Sequence, residues 1–275
     1  MVPDAGVRVA GSVRFFHSNA STRGDGASIE AQMAAADADV LSVACPPVAH
    51  QRDVIYGDGL ANRYPGKLVR EWRVEADGVN TDVTAGFLVS RWPLRRVDAT
   101  NWEIGPATDY LIAAIVERPG LEGGEFAVLA LHPRSPRSPA RWALGTLVVE
   151  AAARMTARLH GEGYAVVVLA DLNSTPSGAR SRLLCREGGL YRAKPLLRAT
   201  GTYPLPLGPH DDTQGRGRRR VEWGLGVAID DAWVSRSVEV VGWGVLDRLE
   251  SEHVPIILDA RIPVRATLEG SVSGR

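Results

Sequence analysis

An α/β fold is what this chain predicts, and three observations carry the prediction. Short apolar runs rich in β-branched residues recur along it, helical periods separate several of them, and turn-forming residues bound both. At 275 residues, 45% of them hydrophobic, the chain can bury a full core and reads most simply as one large domain over residues 1–275.

Val13 to Phe16 is the first expected strand, ending at His17-Ser18-Asn19. Ser28 is a candidate N-cap for a helix over Ile29 to Ala36, because a serine oxygen can accept from the first free N–H groups. Val40 to Ala44, Gly86 to Ser90 and Phe126 to Leu131 follow as strands. Between Ala140 and His160, Leu144, Leu147, Val148, Ala151, Met155 and Leu159 recur at three- and four-residue steps, the period of an amphipathic helix. Gly161 is the expected stop. Val166 to Leu169 is apolar throughout, as in a strand buried on both faces. Asp231 to Ser235 and Val254 to Asp259 complete the strands, and Pro133 to Pro139 and Pro204 to Arg218 read as loops.

Charge and cysteine content narrow the function classes. The 32 basic residues balance the 32 acidic ones, so no global field draws the chain to nucleic acid or an anionic membrane, and a small-molecule partner is favoured. Arg216, Arg218, Arg219 and Arg220 form a local basic cluster that reads first as a solvated loop. Cys45 and Cys185 are far apart and lack C-x-x-C spacing, which argues against a disulfide framework or a zinc site and fits a reducing compartment. With no secretory pattern and no apolar run near the ~20 residues of a spanning helix, a cytoplasmic location without an anchor is expected. Oligomeric state is not readable.

Chemistry concentrates at two strand mouths. Leu169-Ala170-Asp171-Leu172-Asn173-Ser174-Thr175-Pro176 and Ser251-Glu252-His253-Val254-Pro255-Ile256 each place polar groups at the end of an apolar run. Residues two apart in a strand share a side, so Asp171 and Asn173 are expected to converge on one cleft, as a phosphate site requires. Taken alone, Asp-x-Asn reads equally as a turn or cap, and each histidine as a packed side chain.

Order along the chain adds a resemblance. Phe15-Phe16-His17-Ser18-Asn19, Ala38 to Cys45, Val128-Leu129-Ala130-Leu131-His132-Pro133, Ala170 to Pro176, Ile229 to Ser235 and Ser251 to Pro255 resemble, in sequence order, the motifs of the endonuclease/exonuclease/phosphatase superfamily of DNase I-like nucleases, inositol phosphatases and sphingomyelinases. Leu88 to Leu94 and Thr202-Tyr203-Pro204 are similar to further family segments, and the likeness spans about residues 13 to 265. The His132 to Pro136 loop resembles a bacterial branch linked to glycopeptide resistance. The resemblance implies a four-layer α/β/β/α sandwich of two mixed β-sheets flanked by helices, with the site at the strand ends.

Carried over by motif, Asp171 and Asn173 would contact the phosphate or its attacking water. His253 would be a base or phosphate ligand oriented by Asp230, and His132 would stabilise charge or protonate the leaving oxygen. The metal implied is Mg²⁺ or Mn²⁺, held by Asn19, Glu252 and Asp171. The pattern departs on the metal side: Cys45 stands where the family has its principal glutamate ligand, Glu252 replaces an aspartate, and Ser21 stands where some relatives carry another. A thiol suits zinc or copper, not magnesium. Either Glu30, Glu71 or Glu75 compensates, or the metal site is lost.

Three readings result. The first is a hydrolase cleaving a phosphoester or pyrophosphate in a small or lipid-linked molecule. The second is a metal-independent acid-base enzyme of specialised metabolism, using His132, His253 and Asp230. The third is a non-catalytic binding module. Loops Gln51 to Asn80, Val97 to Tyr110 and Pro204 to Arg218 would line the cleft, with Trp72, Trp102 and Tyr110 either facing an organic moiety or lying in the core.

Overall fold

The computed structural model describes residues 8–20, 26–45, 63–76, 79–97, 110–119, 124–194, 203–204, 226–246 and 253–264. In chain order the elements are β1 Val13–Asn19, α1 Gly26–Ala36, β2 Val40–Ala44, β3 Gly66–Ala76, β4 Val79–Ser90, β5 Leu94–Arg96, β6 Tyr110–Val116 and β7 Phe126–His132. They continue with α2 Pro139–Gly161, β8 Ala165–Asp171, α3 Ala179–Arg186, β9 Leu190–Arg192, β10 Tyr203–Pro204, β11 Gly226–Val227, β12 Asp230–Ser235, β13 Glu239–Val245 and β14 Ile256–Arg261.

The strands form two six-stranded sheets, ordered β13-β14-β1-β2-β4-β3 and β5-β6-β7-β8-β12-β9, with β10 and β11 paired apart from them. Both large sheets are mixed: β1 runs parallel to β2 and β7 parallel to β8, while their other pairings are antiparallel. Three hydrophobic clusters define four layers. Phe15, Leu88, Trp243 and Leu258 of the first sheet meet Ile112, Phe126, Val128 and Leu169 of the second in a central core. Met33 and Ala36 of α1 cover the outer face of the first sheet at Phe16, Leu41 and Phe87. Val148, Ala152, Met155 and Leu159 of α2, with Leu184 of α3, cover the second at Leu129, Val166 and Trp233. Because both faces of each sheet are covered, β7 and β8 are buried almost end to end, which is why Val166 to Leu169 is apolar without alternation.

Several boundaries differ from expectation for local reasons. The first helix starts at Gly26, so Ser28 lies inside its first turn rather than capping it. Pro255 has no N–H for a ladder, and the last strand begins at Ile256 instead of Val254. Ser138 caps α2, accepting from the Arg141 N–H at 3.3 Å, with Pro139 at the first helical position where its missing N–H costs nothing. At the other end the left-handed residue is Gly163 (φ 86°), not Gly161. The Tyr164 N–H reaches Leu159 O and the Gly163 N–H reaches His160 O, the paired bonds of a Schellman stop. The expected loop over 51–80 contains β3, and Tyr110 opens strand β6. Among the described residues no helix is long and apolar enough to cross a membrane.

Candidate active site

The mouth between the two sheets receives side chains from both. From the first come His17 and Asn19 on β1, Cys45 just past β2, and His253 just before β14. From the second come His132 at the end of β7, Asp171 at the end of β8, Asn173 just beyond it and Asp230 at the start of β12. Antiparallel pairing sets Asp230 directly opposite Asp171, so two buried carboxyl groups share one spot on the second sheet.

Asp171 is the hub. Its Oδ2 accepts from Asn19 Nδ2 at 2.8 Å, and lies 3.6 Å from His132 Nε2 and 3.7 Å from His253 Nδ1. Its Oδ1 accepts from the Asn173 backbone N–H at 2.8 Å. That last bond closes an Asx-type turn in which Asn173 takes a left-handed backbone (φ 47°), a conformation asparagine tolerates better than most residues. Asn173 thus reaches the cleft through a turn, not by strand alternation as its spacing suggested. Its Nδ2 donates to Pro133 O at 3.1 Å and sits 3.3 Å from His132 Nε2.

His253 and Asp230 form a tight pair, Nδ1 to Oδ2 at 2.8 Å. Burial by itself would lower the His253 pKa, but the Asp230 carboxylate, with Asp171 behind it, overrides this and lifts it to about 9. His253 is therefore an imidazolium at neutral pH. Its neighbour His17 behaves in the opposite way. Completely buried, with Nδ1 3.2 Å from Ser42 Oγ and Nε2 3.8 Å from Asp230 Oδ1, it is held neutral by burial, which drives its pKa down to about 3 against the pull of Asp171.

Cys45 ends β2 in a left-handed conformation (φ 47°) and turns its Sγ to within 3.6 Å of His132 Nδ1. Beneath this contact lies Tyr110, paired with His132 across β6 and β7, its ring 6.2 Å from the imidazole. The ring fits because residue 86 is glycine: a Cβ there would lie 2.4 Å from Tyr110 Cζ. Tyr110 is buried and belongs to the central core rather than to an open cleft wall.

The second sheet's loops are tied by a residue with no motif to mark it. Arg180, fully buried on α3, donates from Nη1 to Arg134 O and Leu172 O and from Nη2 to Trp142 O, joining the His132 loop to the Asp171 loop. Gly145 of α2 leaves it room, since a Cβ there would lie 2.4 Å from Arg180 Nη2.

Of the expected site residues, Asn19, His132, Asp171, Asn173, Asp230 and His253 come together, and Cys45 joins them. Glu252, Ser21, Trp102 and the 216–220 arginines lie outside the described residues, as do 51–62, 77–78, 98–109 and 205–218 of the expected cleft loops. Trp72, Glu71 and Glu75 lie on β3, and Glu30 is exposed on α1. His17, which the sequence reads as a packed side chain, is completely buried, and it lies two residues before Asn19 on one strand and so shares its face.

Asp171, Asp230 and His253 form a buried group whose ligand-type atoms all lie within 4.8 Å of one another. Two six-stranded mixed sheets packed face to face between helices, with such a group at the strand ends, are the architecture of DNase I-like α/β proteins. Solved structures agree. An endonuclease/exonuclease/phosphatase from Beutenbergia cavernae DSM 12333 superposes with a TM-score of 0.60 at 18% identity, covering 91% of this chain and 72% of that one. A mannosyl-6-phosphatase from Bacteroides thetaiotaomicron VPI-5482 gives 0.57 at 14%, over 90% and 99%. Sphingomyelinase C from Streptomyces griseocarneus gives 0.56 at 16%, over 90% and 99%. At these identities the likeness is one of fold, and no curated protein matches the sequence. Membership rests on the sequence itself: residues 15–253 match the profile of the endonuclease/exonuclease/phosphatase family, and the chain belongs to it.

Proposed function

We propose that the cleft hydrolyses a phosphoester or pyrophosphate bond in a small or lipid-linked molecule. The observation that carries this reading is the 2.8 Å His253–Asp230 pair set beside Asp171, His132 and Asn173. An imidazolium fixed by one carboxylate offers a cation to a phosphoryl oxygen and a proton to a departing one. The mannosyl-6-phosphatase and the sphingomyelinase, both acting on phosphoesters on a like fold, support the class. Equal numbers of basic and acidic residues favour a small substrate over a nucleic acid backbone.

The family's usual divalent metal does not suit the donors among the described residues. Mg²⁺ wants a near-octahedral set of hard oxygens, and Cys45 offers sulfur where the family's glutamate is expected. Both Asp171 oxygens already accept hydrogen bonds, from Asn19 and Asn173. The work therefore falls to the chain's own groups: His253 binds and protonates, Asp230 holds its ring, Asp171 fixes Asn19 and Asn173, and Asn173 with His132 faces the reacting group.

Phosphate release from p-nitrophenyl phosphate, bis(p-nitrophenyl) phosphate, sugar phosphates, sphingomyelin and pyrophosphate, measured with and without a chelator, tests this. At least one substrate is turned over, activity survives the chelator, and His253→Ala abolishes it. No release from any of them refutes the hydrolase reading. Release that vanishes with chelator and returns with Mg²⁺ refutes the metal-free one.

A further inference from the structure

We infer that Cys45 is the nucleophile of this site, so that a phosphomonoester is cleaved in two steps through a phosphate carried on its sulfur; the inference rests on the phosphoester reading above. Three observations converge on it. The thiol sits 3.6 Å from His132 Nδ1, while the other ring nitrogen of His132 faces Asn173 Nδ2 at 3.3 Å and Asp171 Oδ2 at 3.6 Å. Asp171 Oδ2 is the acceptor that keeps a proton on that far nitrogen and leaves Nδ1 to take the thiol's, and a thiol, an imidazole and an orienting acid in line make an activated nucleophile whichever fold carries them. Second, Cys45 holds a left-handed backbone at the very end of a strand, a strained conformation for a residue with a Cβ, and its side chain is only partly buried. Third, His253 lies across Asp171 from His132, with their ring nitrogens 3.7 and 3.6 Å from the same Asp171 Oδ2, so two imidazoles stand on either side of one carboxylate, one beside the thiol and one placed to meet the leaving oxygen.

The alternative for a thiol beside an imidazole is a soft metal ion. Zinc takes four donors, at least three of them from protein, and His132 turns its second nitrogen away from the sulfur, towards Asn173 and Asp171. Among the described residues Cys45 and His132 Nδ1 are a pair, and a pair suits proton transfer better than coordination.

The step balances without any added reagent. The Cys45 thiol gives its proton to His132 Nδ1, and the sulfur attacks phosphorus opposite the ester oxygen. The S–P bond forms as the P–O bond to the leaving group breaks, and the departing alkoxide takes a proton from His253. Water then gives a proton back to His253 as its oxygen attacks phosphorus. The S–P bond breaks, inorganic phosphate leaves, and the sulfur recovers its proton from His132. The net change is ester plus water to alcohol plus phosphate.

Two measurements on the full-length protein test it. The first is alkylation by iodoacetate at neutral pH, followed by mass spectrometry of each cysteine peptide. Cys45 reacts about tenfold faster than Cys185, inorganic phosphate protects it, and His132→Asn removes the advantage. The second is turnover of p-nitrophenyl phosphate. Wild type shows a burst of one nitrophenolate per site and, on rapid quench, a phosphate adduct on the Cys45 peptide. Cys45→Ser and Cys45→Ala fold, by circular dichroism and melting, yet lose turnover by about a thousandfold while Cys185→Ser keeps it. Wild-type turnover retained in Cys45→Ala overturns the nucleophile and leaves the hydrolase reading standing. No hydrolysis by wild type, whatever the alkylation rates, overturns the hydrolase reading itself. Stoichiometric zinc bound by wild type and absent from Cys45→Ala overturns the nucleophile in favour of a metal ligand.

Discussion

The two sheets contribute unlike halves of the cleft. The second supplies both buried carboxyl groups, Asp171 and Asp230, together with Asn173 and His132. The first supplies two more imidazoles, an amide and a thiol, on His17, His253, Asn19 and Cys45, the thiol lying on its lip. The difference has a physical basis. Asp171 and Asp230 are locked face to face in one antiparallel ladder and share one partner from the opposite sheet, His253, so changing either alters the charge balance of a buried cluster. Cys45 lies beyond the last ladder pair of β2, at Ala44, where a side chain can change without breaking the sheet.

If that asymmetry is real, the largest loss comes from the second sheet. Asp230→Asn keeps the shape but removes the charge that holds His253 protonated. With burial left as the dominant influence, the His253 pKa falls below its ordinary value, and the molecule loses its cation near neutrality. Turnover drops by about 10²–10⁴-fold, and the basic limb of the pH–rate profile, set near 9 in the wild type, moves to lower pH. A mutant with an unmoved profile would mean that Asp230 is mere packing.

A change on the first sheet tests stability instead. The folded His17 titrates near 3 and the unfolded one near 6.5, so the unfolded chain binds the extra proton between those values. Stability therefore falls as pH drops from about 6.5 and the loss is complete below about 3, amounting to at most about 5 kcal/mol. His253 has the opposite sign: its folded pKa is raised, so its contribution is full below about 6.5 and is lost as pH rises through about 9. Urea midpoints between pH 3 and 7 should flatten on the acid side in His17→Gln. An unchanged acid slope would show that His17 is not held neutral.

Arg180→Met probes the support beneath the second sheet's loops. Three backbone carbonyls lose a donor, and Trp142 loses the guanidinium stacked 4.3 Å from its ring. A stability loss of about 2–3 kcal/mol follows, with kcat reduced about tenfold as Asn173 and His132 lose registration, and KM changed less. Equal losses in kcat from a comparably destabilising core substitution, such as Leu159→Ala, would show that Arg180 has no positioning role.

How far the sequence disclosed this arrangement depends on what held each element in place. Buried strands such as β7 and β8 were legible because both faces need apolar residues. β3 was not, for as an edge strand it carries Lys67, Arg70, Glu71, Arg73 and Glu75, which mask strand periodicity and also discourage pairing with another chain. Asp171 and Asn173 were legible as a pair, but the Asx turn that presents Asn173 depends on one side-chain oxygen meeting a backbone N–H two residues on. Arg180 was invisible because its partners are carbonyls, and any residue supplies a carbonyl.

The smallest effect sharpens the comparison most directly. Cys45→Glu replaces the soft donor on the first lip with a hard one beside Asn19 and Asp171, which remain unchanged. Wild type should give no saturable heat when titrated with Mg²⁺, whereas Cys45→Glu should show weak, millimolar-range binding, because both Asp171 oxygens still serve Asn19 and Asn173. A Kd of about 1 mM corresponds to a binding free energy of only about −4 kcal/mol at the 1 M standard state. Tight binding by wild type, unimproved by the glutamate, would mean that the first lip still holds a metal through residues other than Cys45, and the contrast between the two sheets would lose its chemical meaning.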